Sequence, residues 1–492
     1  MTEGRGGLIR VALAVVALVA FDGVARGARH VPSSFDLGFL ASRHEDAFGH
    51  QRVKVAGPFY ERAETGAGQR VGAFRPLFSH AVDPVQDRSL QDVVWPLYTG
   101  RRLHGESQWR AGVFYGFTHG TNDPVRKRTW LIPFYFQGRT AEGAFYAALF
   151  PLGGTIHDFV GRDKVQFALF PLYLRTTFKD QESTAWLWPV FSRTTGDSIH
   201  RWRVFPFYGE SHAEGKFDKR FVLWPLWNDV TYHYPTSQGS GFLLFPLYGR
   251  LNLSDQKTTW VLPPFFRFTR GEERNILNAP WPFIRYMSGD VDMLYVWPLW
   301  GRKQVENVDR SFVLWPIFWR EQVEYPESVQ TRHLAVPVFS HTKRVSKPED
   351  PEEAPVVLER RHRLWPLYTY ARRGPTSTFR TLNLWPLPEH PSVDRNLAPL
   401  WTLYSRVAHE ENVDSEILWG LYRNLKRGDE ARYWSVFPLV ESRRDDRMDP
   451  PERSWNLLKG LIGRETKGER SRWRFLYFFR SGSDGNPLSE EP

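Results

Sequence analysis

Leu364-Trp365-Pro366-Leu367-Tyr368 decides how this chain is built, because the chain writes the phrase again and again. Leu244-Phe245-Pro246-Leu247-Tyr248, Leu223-Trp224-Pro225-Leu226-Trp227, Val204-Phe205-Pro206-Phe207-Tyr208 and Leu314-Trp315-Pro316-Ile317-Phe318 keep its order: apolar, aromatic, proline, apolar, aromatic. Pro246, Pro264, Pro282, Pro298 and Pro316 stand 16 to 18 residues apart. A repeat of that size is one supersecondary unit that cannot bury its own apolar side, so neighbouring units must stack. Eighteen units between Pro58 and Pro438 carry the proline, and five weaker ones place Gly116, Thr402, Gly420, Gly460 or Tyr477 in its slot, for twenty-three units.

The flanks read as strand. Ser311-Phe-Val-Leu-Trp-Pro-Ile-Phe-Trp319 is aromatic and β-branched and has the length of a strand rather than a helix. Turn signals such as Thr195-Gly-Asp197, Arg270-Gly271-Glu272 and Gly428-Asp-Glu430 separate the phrases. One strand and one turn per unit predicts an all-β fold, an antiparallel up-and-down meander of about 20–23 short repeat strands closed into a large barrel or barrel-like repeat array. Read straight through the phrase, Val313, Trp315, Ile317 and Trp319 share one face while Phe312, Leu314, Pro316 and Phe318 share the other. Both faces are apolar, which predicts a sheet covered on both sides through its middle. A proline in mid-strand removes a ladder donor, which argues against a regular lipid-exposed wall and for bends or bulges at each proline.

Composition narrows the function classes. Among 492 residues, 65 Lys plus Arg stand against 55 Asp plus Glu, and the net charge of +10 is spread along the chain rather than gathered in one tail or patch. That distribution does not suit a nucleic-acid binder. There is no cysteine, which excludes disulfides, a Cys-ligated metal and a Cys nucleophile. Arg5 and Arg10 precede the apolar stretch Val11 to Phe21, and small residues follow at Gly23, Ala25, Gly27 and Ala28, the order of a cleaved secretory signal over residues 1–28. The remainder reads as a single β-repeat domain over 29–480, interrupted by a charged, Pro-rich insert at 343–363 and a shorter charged loop at 443–453, with a polar tail at 481–492.

A search for chemistry finds none. His44-Glu45-Asp46 with His50 lacks the spacing of a zinc helix, and Gln238-Gly239-Ser240-Gly241 is too tight for a nucleophile elbow. No catalytic residue, cofactor or metal is assigned. An arginine does recur four residues after the proline slot. Arg175, Arg193, Arg250, Arg302 and Arg320 are the candidate contacts for an anionic lipid or glycan, set against the plainer reading of arginines snorkelling at the edge of an apolar band. The last unit, Trp473-x-Phe475-x-Tyr477-x-Phe479, resembles the aromatic C-terminal strand of outer-membrane barrels, although thirteen residues follow it. The expectation is a non-enzymatic, exported cell-envelope protein: an outer-membrane barrel for structural or transport use with lipid-like cargo. The alternative is a soluble periplasmic or extracellular protein that binds polysaccharide or a protein partner through aromatic and arginine surfaces.

Overall fold

The proline phrase turns out to be the tip of a hairpin. In the computed structural model, which describes residues 35–64, 68–118, 127–348 and 353–482, Gln181–Trp186 and Phe191–Gly196 are antiparallel strands with Trp186 opposite Phe191. Leu187-Trp188-Pro189-Val190 turns the chain between them, and the Val190 N–H donates to the Leu187 carbonyl across the tip (2.7 Å). A proline in a turn takes no donor out of the ladder, so the backbone objection to a proline in every unit falls away. Each unit holds two strands, and its polar turn lies at the other end, where Gly196 opposes Ile199.

Among the described residues, forty-six strands follow one another in a single antiparallel sheet, each paired with the next. This is the predicted all-β up-and-down meander, with two strands per unit. One long edge of the band collects the apolar tips, and the other collects polar turns. The first strand, Phe35–Asp36, and the last, Phe479–Gly482, do not pair with each other, so hydrogen bonding leaves the sheet open. Opposed residues continue without stagger, as in Ser192–Arg203–Gly209–Phe221–Asn228–Leu243–Gly249–Trp260. A regular barrel would need a stagger.

The tip also overturns the face assignment across Pro316. Phe312 pairs with Trp319 on one face, and Val313 pairs with Phe318 on the other. The first of these faces holds the buried side chains Phe167, Ala185, Thr194, Ile199, Ala213, Leu253, Thr258, Ile276 and Met293, and is called inner below. The opposite, outer face leaves Trp186, Trp202, Phe268 and Phe318 exposed. Only one face is covered, because the band curls with that face inward until its first strands meet the strands between Thr376 and Val436, beyond which residues 452–482 continue.

The meeting is polar. Asp36 accepts from Arg423 (2.7 Å) and from the hydroxyls of Tyr433 and Ser435 (2.8 Å each). Arg423, 1% exposed, continues to Glu416 (3.1 Å), which Lys54 also reaches. Arg427, paired with Asp414 (2.6 Å), donates across to the Glu45 carbonyl, and Arg75, paired with Glu61 (2.5 Å), donates across to the Arg395 carbonyl (2.5 Å). Next to this clasp, Asp92 accepts from Arg395 (2.6 Å) and Asn396 (2.9 Å). Both lie on or beside the short helix Pro391–Asn396, which with Ala398–Trp401 fills an enlarged tip between the paired residues Thr381 and Tyr404.

Several expectations change in detail. The units indexed at Pro386 and Thr402 are this one enlarged tip, while a tip at Leu37-Gly38-Phe39-Leu40, without proline, escaped the sequence count. Gly116 lies inside the strand Phe114–Thr118 rather than at a tip. The insert at 343–363 is largely strand, in Phe339–Ser346 and Val357–Leu364. The charged loop at 443–453 likewise shrinks to the link between Val440–Asp445 and Glu452–Leu457. The signal segment at 1–28 and residues 483–492 of the tail lie outside the described residues.

Candidate functional site

Seven consecutive strands, from Ile199–Val204 to Gln256–Val261, form a groove on the inner face enclosing about 800 Å³. Phe217, Phe221, Val230, Leu243, Leu251 and Trp260 supply its apolar wall. Glycine makes the floor. A Cβ on Gly209 would stand 2.4 Å from the Phe221 ring, and one on Gly249 would stand 2.6 Å from the Leu243 side chain. Without those methyls the neighbouring side chains lie flat on the backbone and the groove keeps its depth.

Charge is sorted by face. From Ser192 to Phe312, the charged side chains at inner strand positions are Arg201, Arg203, Lys219, Arg267, Arg274, Arg285, Lys303 and Arg310, and none of those positions holds Asp or Glu. The carboxylates of the same strands project from the outer face and meet bases there, as in Asp229–Arg220 (3.0 Å) and Asp309–Arg302 (2.9 Å). Of the eight inner cations, Arg310 pairs with Glu321 (2.6 Å). Among the described residues, no carboxylate lies within ion-pair distance of the other seven.

Neutral groups orient these cations while leaving charge unspent. The Arg201 Nε donates to Ser211 (3.0 Å), the Arg203 Nε to Ser192 (2.7 Å) and the Arg267 Nε to Thr269 (3.1 Å). Arg267 also lies 5.8 Å from the Trp260 ring centre, and the Lys219 ammonium sits 4.4 Å over Phe217. The buried Arg285 Nε has no hydrogen-bond partner among the described residues. Burial, and then Arg203, pushes Arg201 below the usual arginine range; burial, and then Arg274 and Arg285, does the same to Arg267. Half-buried guanidinium groups that repel one another gain most from an anion placed between them.

The five arginines singled out by the repeat lie elsewhere. Arg175, Thr184, Arg193 and Trp202 follow one another along an outer row, and Leu294, Arg302, Ser311 and Arg320 continue that row farther on. Arg193 and Arg250 are six strands apart, about 29 Å at ~4.8 Å per strand. Arg175 is tied to Glu182 (2.5 Å) and Arg302 to Asp309 by two bonds (2.9 and 3.2 Å). Arg193, Arg250 and Arg320 have no carboxylate partner among the described residues. The fold therefore aligns these five without gathering them, and it places a second, unpredicted set of cations on the opposite face. Among the described residues, no group of three His, Asp or Glu is arranged to hold a metal. No family model matches this chain, and no curated protein matches it in sequence.

Proposed function

We propose that this chain is a non-enzymatic, exported cell-envelope protein that holds an anionic amphiphile, an acyl chain with a phosphate or carboxylate head, against the inner face of its β band. The observation that carries the reading is the coincidence, on one concave face, of an aromatic groove with cations that no carboxylate neutralises. Phe217, Phe221, Leu243 and Trp260 suit the chain, and Arg201, Arg203 and Lys219 suit the head. Pockets of this kind bind through apolar area and take their specificity from a few polar groups. A guanidinium matches the planar oxygens of a phosphate or carboxylate.

Strand length favours a band that works at a surface over a wall that crosses the membrane. Apart from the two ends, the strands run five to eight residues, whereas a membrane-spanning strand takes about 9–11. Titration of the purified protein with dodecyl phosphate, dodecanol and an acidic oligosaccharide, followed by calorimetry, tests the proposal. Dodecyl phosphate binds best, and Arg201→Ala with Arg203→Ala weakens it by about ten-fold or more, as expected for losing charge-assisted bonds. Equal affinity for dodecanol would refute the role of the cations. Tighter binding of the oligosaccharide would favour the polysaccharide alternative instead.

A further inference from the structure

The hairpins present their proline tips on one edge of the band, and the outermost residues of that edge are apolar. The residue after the proline is Leu97, Phe134, Leu152, Phe207, Leu247 or Leu299 in six of the tips, each 56 to 63% exposed. Monomeric proteins rarely leave apolar surface so continuous. The edge is also firm, because each tip bonds to its neighbour through the main chain. Leu187 N–H donates to the Leu172 carbonyl (2.8 Å), Trp224 to Pro206 (2.6 Å) and Trp315 to Pro298 (2.8 Å).

A second layer stands directly behind the tips on the outer face. Tyr173, Tyr208, Trp227 and Tyr248 follow the proline by two residues. Two residues further, Arg175, Arg193, Arg250 and Arg320 form the third layer. At ~3.3 Å per residue the arginines lie about 10 Å behind the apolar tips. Apolar, then aromatic, then cationic over ~10 Å is the profile of a lipid surface: acyl boundary, carbonyl zone and phosphates. A second copy of the edge would cover the tips but leave the arginines without anions. We propose that the proline edge docks edge-on into the surface of an anionic lipid bilayer, its tips entering the acyl boundary and Arg193, Arg250 and Arg320 meeting phosphates.

Vesicle flotation of the full chain tests this, with vesicles of phosphatidylcholine alone and with phosphatidylglycerol added. The wild-type protein floats with the anionic vesicles. Leu97→Asp, Leu152→Asp, Leu247→Asp and Leu299→Asp together lower the bound fraction at least about ten-fold, because four charges would have to enter hydrocarbon. Arg193→Glu, Arg250→Glu and Arg320→Glu together abolish the preference for anionic over neutral vesicles. An unchanged far-ultraviolet circular dichroism spectrum and melting temperature of each variant show that the band is intact. Flotation of the four-aspartate variant at the wild-type level overturns the proposal. So does a wild-type protein that stays off the vesicles and elutes as a dimer that the aspartates dissociate.

Discussion

Replacing Arg423 with Met should open the band at its clasp without melting the rest. Arg423 is 1% exposed and sits between Asp36 (2.7 Å) and Glu416 (3.1 Å). At an effective dielectric constant near 20, one unit pair at that shorter distance is worth about 6 kcal/mol of attraction before desolvation. Met fills a comparable volume but leaves Asp36 buried with only neutral donors, the Gly38 N–H and the hydroxyls of Tyr433 and Ser435. Breaking a buried pair from one side costs about 3–5 kcal/mol. Glu416 suffers less, because Lys54 still reaches it. The loss concentrates at the clasp, since elsewhere each strand is held by its two sequence neighbours. Hydrogen exchange should therefore accelerate in Ala41–Glu45, Gln51–Val55 and Tyr422–Arg427, with Trp227–Tyr234 unchanged, and small-angle scattering should report a larger radius of gyration. Adding Asp36→Leu should recover most of the loss, as apolar replacements of buried pairs do. Uniform acceleration along the described chain, or a double variant no better than the single, would refute the idea that the first strands are held to residues 412–436 by this charge network.

The same network sets a pH dependence. Glu61 and Glu416 are held down to about 2: burial alone would raise them, but Arg52 and Arg75 outweigh it at Glu61, as do Lys54 and Arg423 at Glu416. Their contribution is complete above the unfolded value near 4.5 and is lost as pH falls toward 2. Burial, then Arg423 and Lys54, holds His44 well below its usual 6.5. The unfolded chain takes up that proton first, so stability should begin to fall below pH 6.5. Melting temperatures from pH 8 to 3 should show both phases, and His44→Leu should shrink the upper one, to which His157, His341 and His362, also held below 6.5 by burial, still contribute. Gly209→Val should cost about 1–3 kcal/mol in urea unfolding, the usual penalty of overpacking. It should also weaken dodecyl phosphate binding, because the Phe221 ring must swing into the groove.

The repeat told its period, its strand character and the meander directly. It hid the turn because a tip such as Leu314-Trp315-Pro316-Ile317 is as apolar and aromatic as a buried strand, and periodicity cannot separate the two. The proline itself was the available signal. A residue that cannot serve a ladder, present in nearly every unit, belongs where no ladder bond is needed. The helical tip and the clasp were invisible for a different reason: they are contacts between residues hundreds of positions apart, such as Asp36 and Arg423.

The inner cations show why the groove escaped while the outer arginines did not. Arg175, Arg193, Arg250, Arg302 and Arg320 keep a fixed distance after the proline, and every strand that follows a tip starts in the same phase. The strand before the tip has no such phase. The tip at 187–190 has four residues and the tip at 205–207 has three, so Trp186 and Arg203, each three residues before its proline, face opposite sides. In a sheet one residue of shift moves a side chain to the other face. Tip length is thus a device for choosing which face a residue reaches without altering the phrase that builds the band. The arginines four residues after the proline belong to the scaffold and its edge, whereas Arg203 reaches the other face from the strand before a three-residue tip, and Arg267 and Arg285 reach it by standing three residues after their prolines instead of four. That separation lets a chain made of near-identical hairpins hold a localised, charged groove.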